Sequence, residues 1–458
     1  MTHTIDPNIF KAYDVRGLYD AEITADAAQR IGRAFVAYLG AGRIAVGRDM
    51  RTSAPEIAGA FIDGALRQGA DVVDYGLIGT DMLYYGVARD DLEGGAMITA
   101  SHNPKEYIGM KLVRRQALPL SGDAGIGDIR DMVLGDRIPP APRSSGRRTA
   151  DDILAGYLEH VFSFIDIDAV RPFDLVLDAG SGIAGLVAPH LFDRLPCRTT
   201  RLCFEVDGTF PHHEANPLIE ENRRGLIARV KSDGADAGIA WDGDADRCFF
   251  IDGDGEFVAG DFITALLAEA FLRKQPGAKI IYDVRASHAV KDTVATYGGT
   301  ALMNRVGHAF FKARMRKEDA LFGGEVTGHY YFRDNYFADN GFIPALLLLE
   351  LMSVHGRTLG DLLAPLRETY FISGEINTRM PDMDTVKATM DSLAERYRDG
   401  RVYRLDGVSV EYDSWHFNVR PSNTEPLIRL NLEATSRAEM ERRRDEVLAM
   451  VRRQESTP

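Results

Sequence analysis

The first three quarters of the chain alternate between short apolar runs and segments with helical spacing of apolar residues. The apolar runs at residues 44–46, 175–177 and 280–282 are each followed by a polar turn and a predicted helix. Ser53 and Glu56 have the spacing of a capping box at the start of the first such helix. We predict three α/β units in a weak internal repeat, with ligands near the carboxyl ends of the strands.

The C-terminal part of the chain has a different pattern. Residues 384–397 have the apolar spacing of an amphipathic helix, and residues 402–432 are rich in strand-forming residues broken by turns. Ser436 and Glu439 fit a capping box at the start of a final helix. This part is predicted to be a separate α+β unit.

Two segments are candidate seams between domains, and one apolar segment is a predicted buried helix. Residues 134–148 are rich in Pro, Gly, Ser and Arg, and residues 252–255 (DGDG) form a predicted turn. The most apolar stretch, residues 343–352, contains Pro344 and Glu350 and is too short to span a bilayer.

Composition narrows the function classes. The 458 residues carry a formal net charge of −14, which argues against a general nucleic-acid binder or a binder of anionic membranes. Anionic substrates stay open, because local arginines and lysines override the net sign. The three cysteines, Cys197, Cys203 and Cys248, are sparse and odd in number, which indicates reduced thiols and a cytoplasmic protein. Residues 1–14 lack the pattern of a signal peptide.

Three aspartates at alternate positions, Asp242, Asp244 and Asp246, form a candidate metal site. In extended backbone their side chains share one face, and Gly243 and Ala245 keep the other face small. Crowded carboxylates repel one another, so one tends to stay protonated unless a cation binds. An all-oxygen ligand set favours Mg²⁺ over Zn²⁺.

A solvated acidic loop is the alternative interpretation of the triplet, and the apolar run at residues 237–241 favours a site at a strand end instead. An EF-hand is excluded, because Arg247 and Gly253 stand where that loop needs Gly and Glu.

Ser101 lies in residues 99–104 (TASHNP), directly after the apolar run at residues 95–98. The Asn-Pro pair marks a turn, so this serine loop presents Ser101 at a strand terminus. A turn serine that bonds its own backbone is the open alternative. A Ser-His-Asp hydrolase is disfavoured, because the G-x-S-x-G elbow is missing and the adjacent His102 cannot easily turn back onto Ser101.

Residues 180–185 match G-x-G-x-x-G between a predicted strand and a predicted helix, and Glu205 follows at about the spacing of a ribose-binding acid. A dinucleotide-binding dehydrogenase is therefore one hypothesis for the function of this protein. The alternative is that the glycines only permit a tight strand–helix turn. No separate set of residues for hydride transfer stands out.

The ordered motifs together give a specific resemblance. They are residues 11–17 (KAYDVRG), 99–104 (TASHNP) with 109–111 (GMK) beyond, 242–247 (DGDADR), 324–329 (GEVTGH) and 420–426 (RPSNTEP). With these segments in this order, the chain resembles the α-D-phosphohexomutase superfamily, and most of all its bacterial phosphomannomutase/phosphoglucomutase group. The segments span nearly the whole chain, and the dehydrogenase hypothesis becomes weak.

The resemblance implies a fold of three related α/β domains with mixed sheets and a smaller C-terminal α+β domain around a central cleft. The expected domains are residues 1–149, 150–252, 253–366 and 367–458, which carry in turn the phosphoserine loop, the metal loop, the sugar loop and the phosphate loop.

The resemblance also implies a reaction. Ser101 would rest as phosphoserine, donate its phosphoryl group to a hexose 1- or 6-phosphate, and recover the other phosphate from a hexose 1,6-bisphosphate. One Mg²⁺ would be held by Asp242, Asp244, Asp246 and an oxygen of the phosphoserine.

Further site residues are expected from the same motifs. Candidates for proton transfer, which the sequence does not rank, are Arg16, His102, Lys111 and His329. Arg247 and Lys111 are expected at the transferring phosphate. The substrate-binding residues implied are Tyr13, Arg247, His308, Glu325, Thr327, Arg420, Ser422, Asn423 and Thr424, of which the last four suit the phosphate that is not reacting.

Three residues depart from the family pattern. Ala245 replaces a frequent glycine and should be tolerated, and Thr327 stands where serine is usual, so that its methyl group reshapes the pocket. Arg285 stands where lysine is expected and is kept as a weak phosphate contact.

The leading hypothesis is a phosphomannomutase with phosphoglucomutase activity, acting on small hexose phosphates in the cytoplasm as a monomer or weak homo-oligomer, without nucleic-acid or membrane partners. The sugar loop favours mannose or glucose over glucosamine. The alternatives are a phosphoglucosamine mutase, a metal-dependent sugar phosphatase and a non-catalytic sugar-phosphate binding protein.

Overall fold

The computed structural model describes residues 5–122, 124–422 and 425–453. The chain divides into two compact units. Unit 1 comprises Met1–Val258, Gly307–Asp319 and Thr327–Leu359. Unit 2 comprises Ala259–Val306, Ala320–Val326 and Gly360–Pro458.

Unit 1 begins with a mixed sheet in the order β1-β5-β4-β2-β3-β7, in which β6 also pairs with β5. Strands β4, β2, β3 and β7 are parallel, whereas β5 is antiparallel to both β4 and β1. The elements are β1 (Val15–Leu18), α1 (Ala25–Leu39), β2 (Arg43–Arg48), α2 (Ala54–Arg67), β3 (Asp71–Leu77), α3 (Thr80–Arg89), β4 (Gly94–Ile98), β5 (Tyr107–Arg114), β6 (Leu118–Pro119), α4 (Ile126–Leu134) and β7 (Arg148–Ala150).

The second sheet of unit 1 has the order β11-β10-β8-β9, with only β11 antiparallel to its neighbour. Strands β10 and β11 are buried along their whole length. The elements are α5 (Leu154–Phe162), β8 (Asp174–Asp178), α6 (Ala184–Phe192), β9 (Arg198–Leu202), α7 (Glu220–Asp233), β10 (Ala237–Trp241) and β11 (Cys248–Asp252).

The third α/β segment contributes to both units. Unit 2 contains α8 (Gly260–Lys274), β12 (Lys279–Asp283), α9 (His288–Thr296), β13 (Thr300–Asn304) and, after α10 (His308–Glu318) of unit 1, β14 (Phe322–Gly324). Strand β12 lies between β13 and β14, parallel to both. Unit 1 contains the antiparallel pair β15 (Tyr330–Phe332) and β16 (Ala338–Asp339) and helix α11 (Ile343–His355).

Helix α11 confirms the predicted buried helix, because its side chains from Ile343 to Ser353 are all buried. None of the helices in the described part of the chain has the length and apolar character that crossing a bilayer requires.

The C-terminal part of unit 2 is an antiparallel sheet in the order β17-β22-β21-β20-β19, with β18 also beside β22. Its core contains Val386 and Leu393 of α13 and Val447 and Leu448 of α14, together with apolar side chains of the sheet. The elements are α12 (Leu359–Thr369), β17 (Phe371–Ile372), β18 (Ile376–Arg379), α13 (Met383–Arg396), β19 (Arg401–Tyr403), β20 (Val408–Glu411), β21 (Trp415–Pro421), β22 (Leu427–Ala434) and α14 (Arg437–Arg453).

A shared turn confirms the predicted repeat of the α/β units. In each of the three α/β repeats, an aspartate at the end of a strand accepts a hydrogen bond from the backbone N–H two residues later. The bonds are Arg51 N to Asp49 at 3.0 Å, Gly180 N to Asp178 at 2.9 Å and Arg285 N to Asp283 at 2.8 Å. Each carboxylate stabilises the turn that leads from strand to helix.

Two local predictions have different outcomes. The prediction of a capping box at Ser53 is wrong. Ser53 makes no side-chain cap bond, because its backbone is already helical. Glu56 instead accepts a hydrogen bond from Tyr19. At the final helix the Ser436 hydroxyl accepts a hydrogen bond from Glu439 N at 3.3 Å, as predicted.

The glycines of residues 180–185 have packing roles. A Cβ on Gly182 would lie 2.7 Å from the carbonyl oxygen of Gly243, and a Cβ on Gly185 would lie 2.4 Å from that of Phe204. The backbone at Gly180 has φ +55°, where a glycine is unstrained. The structural-turn interpretation therefore accounts for all three glycines.

Candidate active site

Ser101 lies in the turn between β4 and β5 and is 1% exposed. Its Oγ donates a hydrogen bond of 2.9 Å to Asp242 Oδ2, and its backbone has φ +53°, a region that non-glycine residues rarely occupy. Gly243 lies directly against it, since a Cβ there would come within 2.6 Å of the carbonyl oxygen of Ser101. The structure therefore brings the serine loop and the aspartate triplet together, as the sequence predicted.

Arg51 holds the serine loop in this conformation, and the sequence reasoning missed it. Its guanidinium donates to four backbone carbonyls, those of Ser101, Asn103, Pro104 and Tyr107, at 2.6 to 3.0 Å. The side chain is fully buried and pairs with Asp49. Asp49 and Arg51 have the same Asp-x-Arg spacing as Asp283 and Arg285, and this recurrence in the sequence could have pointed to Arg51.

Asp242, Asp244 and Asp246, the carboxylate cluster, are each at most 1% exposed. Lys111 of β5 contacts Asp244 Oδ2 at 2.7 Å and also pairs with Asp246, while Arg247 Nε lies 3.4 Å from Asp242 Oδ2. Three carboxylates therefore face two cationic side chains.

The pKa values of the side chains in this cluster are shifted by burial and by neighbouring charges. Burial and the negative charges of Asp246 and Asp244 raise the pKa of Asp242 well above its usual value. Burial would also raise the pKa of Asp244, but the ammonium group of Lys111 outweighs it and the net shift is downward. The pKa of Lys111 is raised, because its carboxylate partners outweigh its own burial.

The cluster has the chemistry of a divalent cation site. Its three carboxylates offer oxygens within 4.8 Å of one another. Oδ1 of Asp244 and Oδ1 of Asp246 are buried and accept no hydrogen bond from the described residues. Buried carboxylate oxygens without donors suit a hard cation, so the residues fit the magnesium ion that the sequence implied. Ala245 lies in the left-handed region with φ +59°, which gives a physical reason for glycine at this position.

His102 and Arg16 flank the serine loop. His102 Nδ1 accepts a 2.7 Å hydrogen bond from Arg247 Nη2, because a guanidinium only donates, and it lies 3.2 Å from Ser101 Oγ. Desolvation and the positive charges of Arg247 and Arg16 lower the pKa of His102 well below its usual value. Arg16 donates to Asn103 Oδ1 at 2.7 Å.

His329 lies beside the carboxylate cluster and contacts Asp339, which the sequence did not reveal and which in turn pairs with Lys312. Its Nδ1 is 2.9 Å from Asp339 Oδ2 and 3.9 Å from Asp246 Oδ1. Lys312, which is fully buried, pairs with Asp339 Oδ1 at 2.7 Å. Burial would raise the pKa of Asp339, but Lys312 and His329 lower it far more. No local motif marks Asp339 or Lys312.

His308 and Tyr13, two of the predicted substrate-binding residues, also lie in unit 1. The ring of His308 is 6.2 Å from that of His329, and the ring of Tyr13 is edge-on to His308 at 5.5 Å. The predicted position of Tyr13 near the serine loop stays a prediction.

Unit 2 carries a group of arginines around one carboxylate. Glu375 accepts hydrogen bonds from Arg285 at 3.3 Å, Arg420 at 3.4 Å and Arg429 at 3.0 Å. Arg420 and Arg429 lie directly opposite each other on β21 and β22, where like charges repel. Burial would raise the pKa of Glu375, but the three guanidinium groups lower it. Glu375 and Arg429 were not predicted.

The predicted residues of the sugar loop are divided between the two units, and those of the phosphate loop are only partly described. Glu325 is buried in unit 2, directly before Val326, whose N–H donates to Asp283 Oδ2 at 3.0 Å, whereas Thr327 belongs to unit 1. Ser422 is buried at the end of β21 and donates its backbone N–H to Leu427 at 2.9 Å. Asn423 and Thr424 lie outside the described residues.

Comparison with known proteins agrees with this architecture. Four domain descriptions of the phosphoglucomutase/phosphomannomutase family match in order: alpha/beta/alpha domain I at residues 7–134, domain II at 155–255, domain III at 259–370 and the C-terminal domain at 375–450. The domain boundaries predicted at residues 149, 252 and 366 stay predictions.

Similar proteins extend over the full chain. "Phosphohexose mutases" of Xanthomonas campestris pv. campestris is 42% identical over 446 residues, covering 97% of this chain and 99% of the relative. A phosphomannomutase of Escherichia coli is 41% identical over 451 residues, covering 97% and 99%. A crystal structure of a phosphoglucomutase/phosphomannomutase family protein from Burkholderia thailandensis has a TM-score of 0.87 at 33% identity and covers 99% of this chain and 98% of that one.

The chain therefore belongs to the phosphoglucomutase/phosphomannomutase family. It is an isomerase of the phosphotransferase type, and enzymes of this type act on small-molecule hexose phosphates.

Replacing Arg51 by Lys tests how the serine loop is held. Lysine keeps the charge but cannot reproduce a planar fork on four carbonyls. We expect Arg51→Lys to lower the free energy of unfolding by about 1–3 kcal/mol, the cost of buried acceptors left unpaired. We expect kcat of the mutase reaction to fall by at least ~10-fold, because small displacements of a reacting group are costly.

Denaturant unfolding and steady-state kinetics measure both effects. Arg115→Lys is the control: Arg115 is about half exposed and pairs with an exposed Asp91, so its free energy of unfolding should change by less than ~0.5 kcal/mol. A folded Arg51→Lys variant with unchanged kcat would contradict the positioning role.

Proposed function

We propose that this protein interconverts the 6-phosphate and 1-phosphate of mannose, and also of glucose, through a phosphoserine at Ser101 and a hexose 1,6-bisphosphate. One observation carries the proposal: the Ser101 hydroxyl lies 2.9 Å from Asp242 and beside Arg247, at the edge of a buried carboxylate cluster. A phosphoryl group on this oxygen would meet cationic side chains that can neutralise it.

The proposed transfer occurs in two balanced halves. The sugar hydroxyl attacks phosphorus, the bond between phosphorus and Ser101 Oγ breaks, and the hydroxyl proton passes to a base. After the bisphosphate turns around, Ser101 Oγ attacks the other phosphorus, and the departing sugar oxygen takes back a proton. Such transfers depend mainly on positioning and charge stabilisation. Lys111 and Arg247 are the side chains we assign to the transferring phosphate.

Asp242, Asp244 and Asp246 would hold the Mg²⁺, together with an oxygen of the phosphoserine. When bound, the ion supplies positive charge to the oxygens of the transferring group. The two Oδ1 atoms that lack hydrogen-bond donors support this assignment.

Among the four candidates for proton transfer, the contacts favour His329. Asp339 faces its Nδ1 at 2.9 Å, so Nε2 is the nitrogen left for a sugar hydroxyl. Lys111 is engaged by two carboxylates, and Arg16 is bound to Asn103. His102 Nδ1 is engaged by Arg247, so we assign His102 to positioning near Ser101.

Arg420, with Ser422 and the predicted Asn423 and Thr424, is proposed to bind the phosphate that is not reacting. Arg285 and Arg429 share Glu375 with Arg420, so a dianionic phosphate would relieve the repulsion among three guanidinium groups. The remaining substrate contacts we propose are with the sugar ring, through Tyr13, His308, Glu325 and Thr327.

The cytoplasmic location and the state of monomer or weak homo-oligomer stay predictions. The prediction of a cytoplasmic location rests on the sparse, odd number of cysteines. The second candidate functions are a phosphoglucosamine mutase and a sugar phosphatase, and the tests below separate them.

The mass of the purified protein and the Ser101→Ala variant test the phosphoserine. We expect the wild type to carry one phosphoryl group on Ser101, and Ser101→Ala to lose mutase turnover by at least ~10³-fold, as expected when the nucleophile is removed. Ser53→Ala is the control, because Ser53 Oγ is buried and has no hydrogen-bond partner among the described residues. Full turnover by Ser101→Ala would refute the mechanism, and release of inorganic phosphate as fast as substrate is lost would indicate a phosphatase.

Coupled assays with the 1-phosphates of mannose, glucose and glucosamine test the choice of sugar. We expect mannose and glucose 1-phosphates to have the higher kcat/KM, because the Glu325-Val326-Thr327 segment lacks the pattern associated with glucosamine relatives. Fastest turnover of the amino sugar would make the phosphoglucosamine mutase the better assignment.

Arg420→Ala tests the phosphate site of unit 2. We expect kcat/KM for hexose phosphates to fall by about 10- to 100-fold, the loss of one or two charge-assisted hydrogen bonds. Phosphorylation of Ser101 by a hexose 1,6-bisphosphate should remain attainable, measured by protein mass. Arg398→Ala is the control, since Arg398 is exposed and pairs with an exposed Glu395 outside the phosphate loop. Unchanged activity of Arg420→Ala would remove this domain from substrate binding.

A further inference from the structure

A second group of metal-ligating side chains lies in unit 1, outside the carboxylate cluster. Asp178, Cys203 and His213, which we call the thiol cluster, each offer a ligand atom, and these atoms all lie within 4.8 Å of one another. The proposed mutase reaction uses none of the three. A carboxylate oxygen, a thiol sulfur and an imidazole nitrogen form a different donor set from the all-oxygen carboxylate cluster.

Two of the three distances between ligand atoms in the thiol cluster are close to the edges of a tetrahedral zinc site. His213 Nε2 is 3.2 Å from Asp178 Oδ2 and 3.7 Å from Cys203 Sγ. Zinc bonds of about 2.0 Å to nitrogen and oxygen and about 2.3 Å to sulfur, at tetrahedral angles, give edges of about 3.3 Å and 3.5 Å. Both contacts therefore lie within a few tenths of an ångström of what a shared Zn²⁺ requires.

Backbone groups hold two of the ligands in orientation. His213 Nδ1 is 2.9 Å from the carbonyl oxygen of Glu214, which can only accept, so Nδ1 carries the proton and Nε2 faces the other ligands. This arrangement is typical of metal-binding histidines. Asp178 Oδ1 accepts the Gly180 N–H, so Oδ2 is the oxygen directed to His213.

The internal repeat shows that this position differs from its two equivalents. Asp49 and Asp283 are each followed two residues later by an arginine, whose guanidinium neutralises the carboxylate. The corresponding residue after Asp178 is Gly180, and the side chains that face Asp178 are instead those of His213 and Cys203. At Asp178 an imidazole and a thiol therefore stand in place of the guanidinium that pairs with each of the other two aspartates.

The thiol cluster also opens to a cavity of about 950 Å³, lined by all three of its residues and by Glu205, His212 and Glu221. An ion at the cluster would have an entry path and room for a water as fourth ligand. We propose that Asp178, Cys203 and His213 bind one Zn²⁺ ion, separate from the Mg²⁺ of the carboxylate cluster. Sulfur and imidazole ligands select zinc over magnesium. This proposal does not depend on the mutase mechanism.

Metal binding to the full-length protein tests the proposal. Protein freed of metal with a chelator is saturated with Mg²⁺, to occupy the carboxylate cluster, and titrated with Zn²⁺ against a chromophoric chelator. We expect one tightly bound Zn²⁺ per chain, and a loss of at least ~10-fold in affinity for Cys203→Ser. Cys197→Ser is the matched control, because Cys197 is also a partly buried free cysteine of the same domain but lies outside the thiol cluster.

Co²⁺ gives a second readout, which reports directly whether the thiolate binds the metal. Bound to the wild type and to Cys197→Ser, it should produce the near-ultraviolet charge-transfer absorption of a cobalt–thiolate bond, and this band should be lost in Cys203→Ser. Without Zn²⁺ but with Mg²⁺ present, thermal unfolding and mutase activity should be the same in Cys203→Ser as in the wild type, which shows that the variant is folded. Absence of Zn²⁺ uptake, equal affinity in wild type and Cys203→Ser, or a Co²⁺ spectrum without the band would overturn the proposal.

Discussion

The burial of three carboxylates in one cluster is the constraint on which the rest of the candidate active site depends. Charges removed from water are costly unless they are paired. Asp242, Asp244 and Asp246 face only two cationic side chains, Lys111 and Arg247, and the pKa of Asp242 is raised as a result of burial and of the neighbouring carboxylates. Further positive charge is needed to keep all three carboxylates ionised, and a divalent cation would supply it. The cluster also fixes the serine loop, because the Ser101 hydroxyl donates to Asp242.

The strand-end turn that recurs in the three α/β repeats makes different contacts in each of them. Asp49 and its arginine hold the serine loop, and Asp283 and its arginine reach the Glu375 group of unit 2. Asp178 is followed by Gly180 at the corresponding position and faces His213 and Cys203. A buried aspartate at a strand end is costly unless a partner faces it, and the partner differs among the three turns: Arg51, Arg285 and His213.

Much of the fold was predictable from the sequence, because apolar periodicity depends only on neighbouring residues. The three α/β units, the buried helix α11 and the separate C-terminal α+β unit all follow from that periodicity. The capping box at Ser53 was predicted wrongly, because cap formation depends on a backbone conformation that tertiary packing had already made helical. In the candidate site, Ser101 and the aspartate triplet were identifiable because each is a compact local motif.

The sequence by itself determined which chemical groups this protein has and which short segments carry them, since a motif such as residues 242–247 places its carboxylates through local backbone geometry alone. Only the tertiary structure decided which distant groups meet. Asp339 and Lys312 lie beside His329, and Arg51 lies under Ser101, because sheet pairing and helix packing bring remote parts of the chain together. Ion pairs and hydrogen bonds act over a few ångströms in space, whatever the separation along the chain, so linear spacing could not reveal them.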